Sequence, residues 1–158
     1  MKKGQAAMEF LMTYGWAILV VIAAIAALAY FGVLDPAKLL PERCVFPAGM
    51  DCIGKAITTT TVTVSLRNNQ GFPVTIQDLA VSGTACAGAE ELAVGATNDV
   101  FATVANQSVS NNEVFKARVT CSGLTAGNKF DEDFTVTFRN TESGLTTPAV
   151  GEVRGRIA

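Results

Sequence analysis

The chain has 158 residues, with 12 Lys and Arg against 14 Asp and Glu, no His and a formal net charge of −2. That length allows one ordinary domain with an appended helix, and cations scattered along the chain give no electrostatic footprint for nucleic acid. The missing histidine removes the commonest general base and the usual nucleophile–imidazole arrangements; with no Gly-rich phosphate motif either, the chain reads as a non-enzyme with no cofactor and no metal.

The first predicted element is an apolar run over residues 10–34, uncharged throughout, which follows the basic leader Met1-Lys2-Lys3-Gly4. As a helix at about 1.5 Å per residue it is roughly 37 Å long, enough to cross a hydrocarbon core of about 30 Å. It is apolar on every side, which suits lipid or the interior of a helix bundle, and Asp35-Pro36 stops it. A cleaved secretory signal would have an apolar region of only about 7 to 15 residues. Lys2 and Lys3 place the N-terminus in the cytoplasm and the rest of the chain outside. Tyr14, Trp16 and Tyr30 suit membrane interfaces, and the small residues Gly15, Ala17, Ala23, Ala24, Ala26, Ala27 and Ala29 include the small-xxx-small pair Ala23/Ala27, which lets helices approach closely in lipid. Glu9 stands at the mouth of this run. A charge at mid-bilayer costs about 2.5–3.5 kcal/mol, less near an interface, so a bare anchor has no use for it.

Lys3-Gly4-Gln5, then Glu9 as the fifth residue counted from Gln5, then the apolar run, together resemble the class III signal peptide of archaeal type IV pilin-like proteins. The resemblance covers roughly the first 34 residues. It implies cleavage between Gly4 and Gln5 by a prepilin-type peptidase, assembly with identical or related pilin subunits through the helix, and a role for the Glu9 carboxylate in offsetting the new amino group at Gln5. Partners would be that peptidase, the pilus assembly machinery and, before assembly, the cell membrane; the mature subunit would be extracellular, in an adhesion filament. The stretch Gln5-Ala6-Ala7-Met8-Glu9-Phe10-Leu11 is more similar to adhesion-pilus or minor pilin-like subunits than to archaellins. The alternatives are a monomeric membrane-anchored extracellular β domain, for binding or envelope organisation, and an archaellin-like subunit.

Residues 1–4 are therefore expected as leader, 5–34 as the membrane or filament-core helix, 35–43 as linker and 44–158 as an extracellular β domain. In residues 60–66, Val62, Val64 and Leu66 share one face while Thr61, Thr63 and Ser65 share the other, the period of a half-buried strand. Asn68-Asn69-Gln70-Gly71 supplies a turn. Val74 and Ile76 fall out of phase with Leu79 and Val81, and a bulge near Asp78 would reconcile them. Phe115, Ala117, Val119 and Cys121 alternate with polar residues, as do Phe134, Val136 and Phe138; a weaker strand lies near residues 100–104, and Ala149, Val153 and Ile157 end the chain. Six or seven strands and no further helix predict an α+β chain: an N-terminal apolar helix followed by an antiparallel β-sandwich, for which an immunoglobulin-like topology is plausible.

Cys44, Cys52, Cys86 and Cys121 all follow the apolar run, and an even number there points to disulfides in an oxidising exterior. Four cysteines allow three pairings. Locality around Pro47-Ala48-Gly49 favours Cys44 with Cys52, leaving Cys86 with Cys121; the competing zinc site fits the spacing poorly. Asn106-Gln107-Ser108 is an N-glycosylation sequon with Asn106 as candidate acceptor, in a polar stretch read as a surface loop. Asp131-Glu132-Asp133 and Glu90-Glu91 read as solvated turns, since neither has the spaced oxygens of a calcium loop.

Overall fold

The computed structural model describes residues 2–31, 41–83 and 85–158. The chain forms two compact units, Met1–Leu40 and Pro41–Ala158. The first contains α1, Lys2–Tyr30. Leu, Ala and Met favour this helix, and no proline interrupts it. The expected continuation to Leu34 and most of the linker lie outside the described residues.

The second unit contains β1 (Arg43–Val45), β2 (Met50–Ile57), β3 (Thr61–Asn68), β4 (Val74–Val81), β5 (Glu90–Val94), β6 (Ala102–Thr103), β7 (Gln107–Val109), β8 (Val114–Thr120), β9 (Lys129–Asn140) and β10 (Thr146–Arg156). They form two antiparallel sheets ordered β1-β10-β9-β4-β7 and β2-β3-β8-β5-β6. The alternation that predicts the strands also builds the core: Val62, Val64, Leu66, Phe115 and Val119 from one sheet meet Val74, Ile76, Leu79, Phe134 and Val136 from the other, all essentially inaccessible to water. The out-of-phase run in β4 resolves as expected. Its register against β9 shifts between Ile76 and Asp78, so Gln77 is extra and Val74, Ile76, Leu79 and Val81 all turn inward.

The structure has more strands than the sequence pattern predicts, and two acidic segments differ from expectation. Asp131-Glu132-Asp133 is not a turn but part of β9. There Asp131 accepts hydrogen bonds from Lys129 Nζ at 2.9 Å and from Arg154 Nε at 2.6 Å on the neighbouring strand, while Glu132 accepts one from Ser82 Oγ at 2.7 Å. Glu90-Glu91 opens β5, where Glu91 stands opposite Arg118 and accepts from its Nε at 2.7 Å. Cross-strand cations thus hold acids in extended backbone. The linker expected to reach residue 43 is shorter at that end, since Arg43 begins β1.

Both open sides of the sandwich are crossed by the chain itself. On one side β1, an edge of the first sheet, passes through residues 46–49 to β2, an edge of the second; on the other, β6 passes through residues 104–106 to β7. Two glycines of β10 make room for the first crossing. A Cβ on Gly151 would lie 2.5 Å from the Phe46 ring, which itself stands edge-on to Phe134 with centroids 6.4 Å apart, and one on Gly155 would lie 2.9 Å from Ile57 and Lys55. Glycine inside a strand here marks close approach from the facing layer.

Candidate functional site

In α1, Gly4 is exposed, and apart from the helix's own backbone no heavy atom lies within 4 Å of where a Cβ would stand. Gln5 is helical, and Glu9 is exposed one turn further on, about 6 Å along the axis. At about 100° per residue, positions 5, 9, 13, 16, 23 and 27 fall within an arc of about 80°, whereas Phe10, Tyr14, Val21, Ile25 and Leu28 lie opposite. The acid, the Thr13 hydroxyl and the Ala23/Ala27 pair therefore share one side of the helix, with Trp16 and Val20 between them. Thr13 Oγ1 donates to the Glu9 carbonyl at 2.8 Å, satisfying the hydroxyl within the helix. Phe10 and Tyr14 stack with centroids 4.5 Å apart on the opposite side. The segment Ala7–Tyr30 is long and apolar enough to cross a membrane, and none of it is buried within the protein.

Disulfides join Cys44 to Cys52 and Cys86 to Cys121. The first ties β1 to β2, hence one sheet edge to the other. The second fixes the β4–β5 connection beside the end of β8, where Gly88 N–H donates to the Thr120 carbonyl at 3.0 Å and Ser122 N–H to the Ala85 carbonyl at 2.6 Å. No cluster of three metal-ligating side chains occurs among the described residues.

Asn106 is exposed and has φ of 50°, a left-handed conformation that Asn adopts more readily than most residues. It sits in the β6–β7 crossing, and the rest of its sequon enters edge strand β7, with Ser108 opposite Thr75. The sequon is thus partly strand, though its acceptor is exposed. Two carboxyls depart from their usual range. Burial pushes the Glu90 carboxyl up, against the lowering effect of the Leu79 N–H that donates to it at 3.1 Å, and the negative Asp78 adds to the rise. The Lys129 hydrogen bond holds Asp131 below its usual value, with Arg154 contributing in the same sense.

Sequence reasoning missed Asn68, the one buried polar residue among those described. Its Nδ2 donates to the carbonyls of Phe72, Val109 and Ser110 at 2.9, 3.2 and 3.1 Å, and its Oδ1 accepts from Gln70 N–H. The Asn-Asn-Gln-Gly run signalled a turn but not that the first Asn turns inward. Compared with known proteins, the sequence matches no family model and no curated protein.

Proposed function

We propose that this chain is a pilin-like filament subunit, inserted with its N-terminus inside, cut between Gly4 and Gln5, and polymerised through α1 so that its β unit is displayed outside the cell in an adhesive fibre. The observation that carries this reading is Glu9: one carboxylate, exposed at the mouth of a helical run that has no other charge from Phe10 to Tyr30, and sharing a side with the small residues Ala23 and Ala27. In a helix bundle the Ala23/Ala27 pair lets backbones approach over that stretch, and a carboxylate near a buried amino terminus offsets a charge that would otherwise be costly in low dielectric. The two disulfides suit an exterior location for the β unit.

The test is Glu9→Ala in a strain whose only copy carries the substitution, read by electron microscopy of sheared surface fibres and a membrane-fraction blot. Insertion and cleavage should persist, because removing a charge improves a membrane helix. Fibres should be lost, since breaking a buried charge pair costs about 3–5 kcal/mol per docked subunit. Normal fibres from cleaved Glu9→Ala subunits would show the charge pair to be dispensable and remove the observation this reading rests on; absence of the unsubstituted chain from sheared fibres would favour a monomeric membrane-anchored β domain.

A further inference from the structure

The outer face of the β2-β3-β8-β5-β6 sheet carries a recess of about 340 Å3. Strand register explains its floor. Ala56, Thr63, Arg118 and Glu91 form one cross-strand row, and Gly54, Ser65, Lys116 and Ala93 form the next. Each row begins with a small residue, then a hydroxyl, then a cation. Segment 95–101 folds over the far end of both rows: Gly95 N–H donates to the Val114 carbonyl at 2.7 Å, Asn98 Nδ2 to the Val94 carbonyl at 3.0 Å, and Val100 N–H to Asn98 Oδ1 at 2.9 Å. This fold-back sets Asp99 in an ion pair with Lys116 and lays the Phe101 ring 3.7 Å from the Arg118 guanidinium carbon. Ala93 is 1% exposed despite standing opposite outward-facing Lys116.

The charges bordering the recess already neutralise one another: Lys116 with Asp99, Arg118 with Glu91, and Lys55 with Glu42. An anion would have to displace a carboxylate. A polyol would not. The Asp99 side chain is 80% exposed and keeps acceptor capacity toward solvent. The Lys116 ammonium has three donors, and a hydroxyl both donates and accepts; those of Thr63 and Ser65 have no hydrogen-bond partner among the described residues. Phe101, Gly54 and Ala56 offer apolar surface to the C–H face of a ring. The volume lies within the range of small-molecule sites.

We infer that this recess binds a neutral saccharide. The site belongs to the β unit alone and would serve a filament or a monomeric anchor equally, so its failure and the failure of the filament reading are separate results. The experiment probes an array of neutral and uronic-acid oligosaccharides with fluorescent full-length protein in a non-glycosidic detergent. Wild type should bind neutral members in preference to the uronic acids. Ser65→Tyr, which fills the recess from an outward position that favours aromatic side chains, should lose binding about tenfold or more, by removal of at least one charge-assisted hydrogen bond from the ligand. Asp99→Asn frees Lys116 and should shift preference toward uronic acids. Circular dichroism establishes that both variants remain folded; should Ser65→Tyr unfold, Thr63→Val replaces it, with an expected loss of about three- to tenfold from one neutral hydrogen bond. Absence of wild-type binding to any neutral saccharide, preference for the acidic members, or undiminished binding by the folded recess variant would each overturn the assignment.

Discussion

Asn68→Leu should destabilise the β unit more than any exposed substitution, because the replaced amide joins elements from both sheets. Its Nδ2 reaches the Val109 carbonyl in a fully buried bond and the Phe72 and Ser110 carbonyls in half-buried ones, while Gln70 N–H points at Oδ1. Leucine fills much the same space but pairs with none of them. The buried carbonyl left without a donor costs about 1–3 kcal/mol, and the half-buried groups, which water can reach, cost less; after the gain from added apolar burial the net loss is about 2–4 kcal/mol. Against a total stability of about 5–15 kcal/mol that is a large fraction, and for a unit of this size it lowers the midpoint by roughly 8–16 °C. Trp16, Tyr14 and Tyr30 all lie in α1, so aromatic fluorescence is blind to this unit. The assay is strand-band circular dichroism with amide hydrogen exchange, on the full chain in detergent. Asn68→Asp adds a diagnostic: an ionised carboxylate facing three carbonyls is destabilising, and stability should return as pH falls and the acid protonates to become a donor. An Asn68→Leu chain within about 0.5 kcal/mol of the parent would refute the reasoning, since it would mean these bonds contribute no net stability.

Replacing both members of a disulfide by Ser should cost about 2.6 kcal/mol for Cys44–Cys52 and about 3.8 kcal/mol for Cys86–Cys121, from the entropy of the released loops; denaturant midpoints of the two double variants give the order. Gly151→Ala should cost about 1–3 kcal/mol through the displaced Phe46 ring, and a double-mutant cycle with Phe46→Ala should show coupling at that contact. The raised Glu90 pKa means that its contribution to stability is fully present below its ordinary value of 4.5 and is lost as pH rises through the folded value. Glu90→Gln should therefore flatten part of the pH–stability curve above pH 4.5; an unchanged curve contradicts the assignment. The lowered Asp131 acts with opposite sign, its contribution present above 3.8 and lost as pH falls through the folded value. Gly4→Val should block trimming of the leader and leave full-length precursor in the membrane; intact mass reads this directly, and normal trimming would show that the cut lies elsewhere.

What was legible in the sequence is what a period of two can express. β3 and β8 alternate without interruption, and the slipped phase of β4 announced its own bulge. β2 hid because its register shifts between Cys52 and Gly54, leaving Ile53 half exposed in a run that otherwise looks irregular. β5 hid because it opens on two glutamates, one held by the Leu79 N–H on another strand and the other by Arg118, 27 residues away. Ala149 and Val153 mark the inward side of β10, and Ile157 continues it just past the strand, but the glycines between them have meaning only once Phe46, Lys55 and Ile57 are seen above them. The saccharide recess was half visible. Thr63, Ser65, Lys116 and Arg118 read as outward positions, yet nothing local says that segment 95–101 returns to lie on them.

The Cys44–Cys52 link has a mechanical consequence. Tension on the β unit from the N-terminal side enters at β1, three residues long and bonded along one edge to β10. Pulled alone, so short a strand would unzip one pair at a time, each rupture loading the next. The disulfide stops that at Cys44: beyond Arg43 the load divides, part passing through the covalent bond into β2 and its sheet and part remaining on β10. Many ladder hydrogen bonds must then shear together, and a peeling failure becomes a shearing one. Under reducing conditions the same pull would find the sandwich with a loose end.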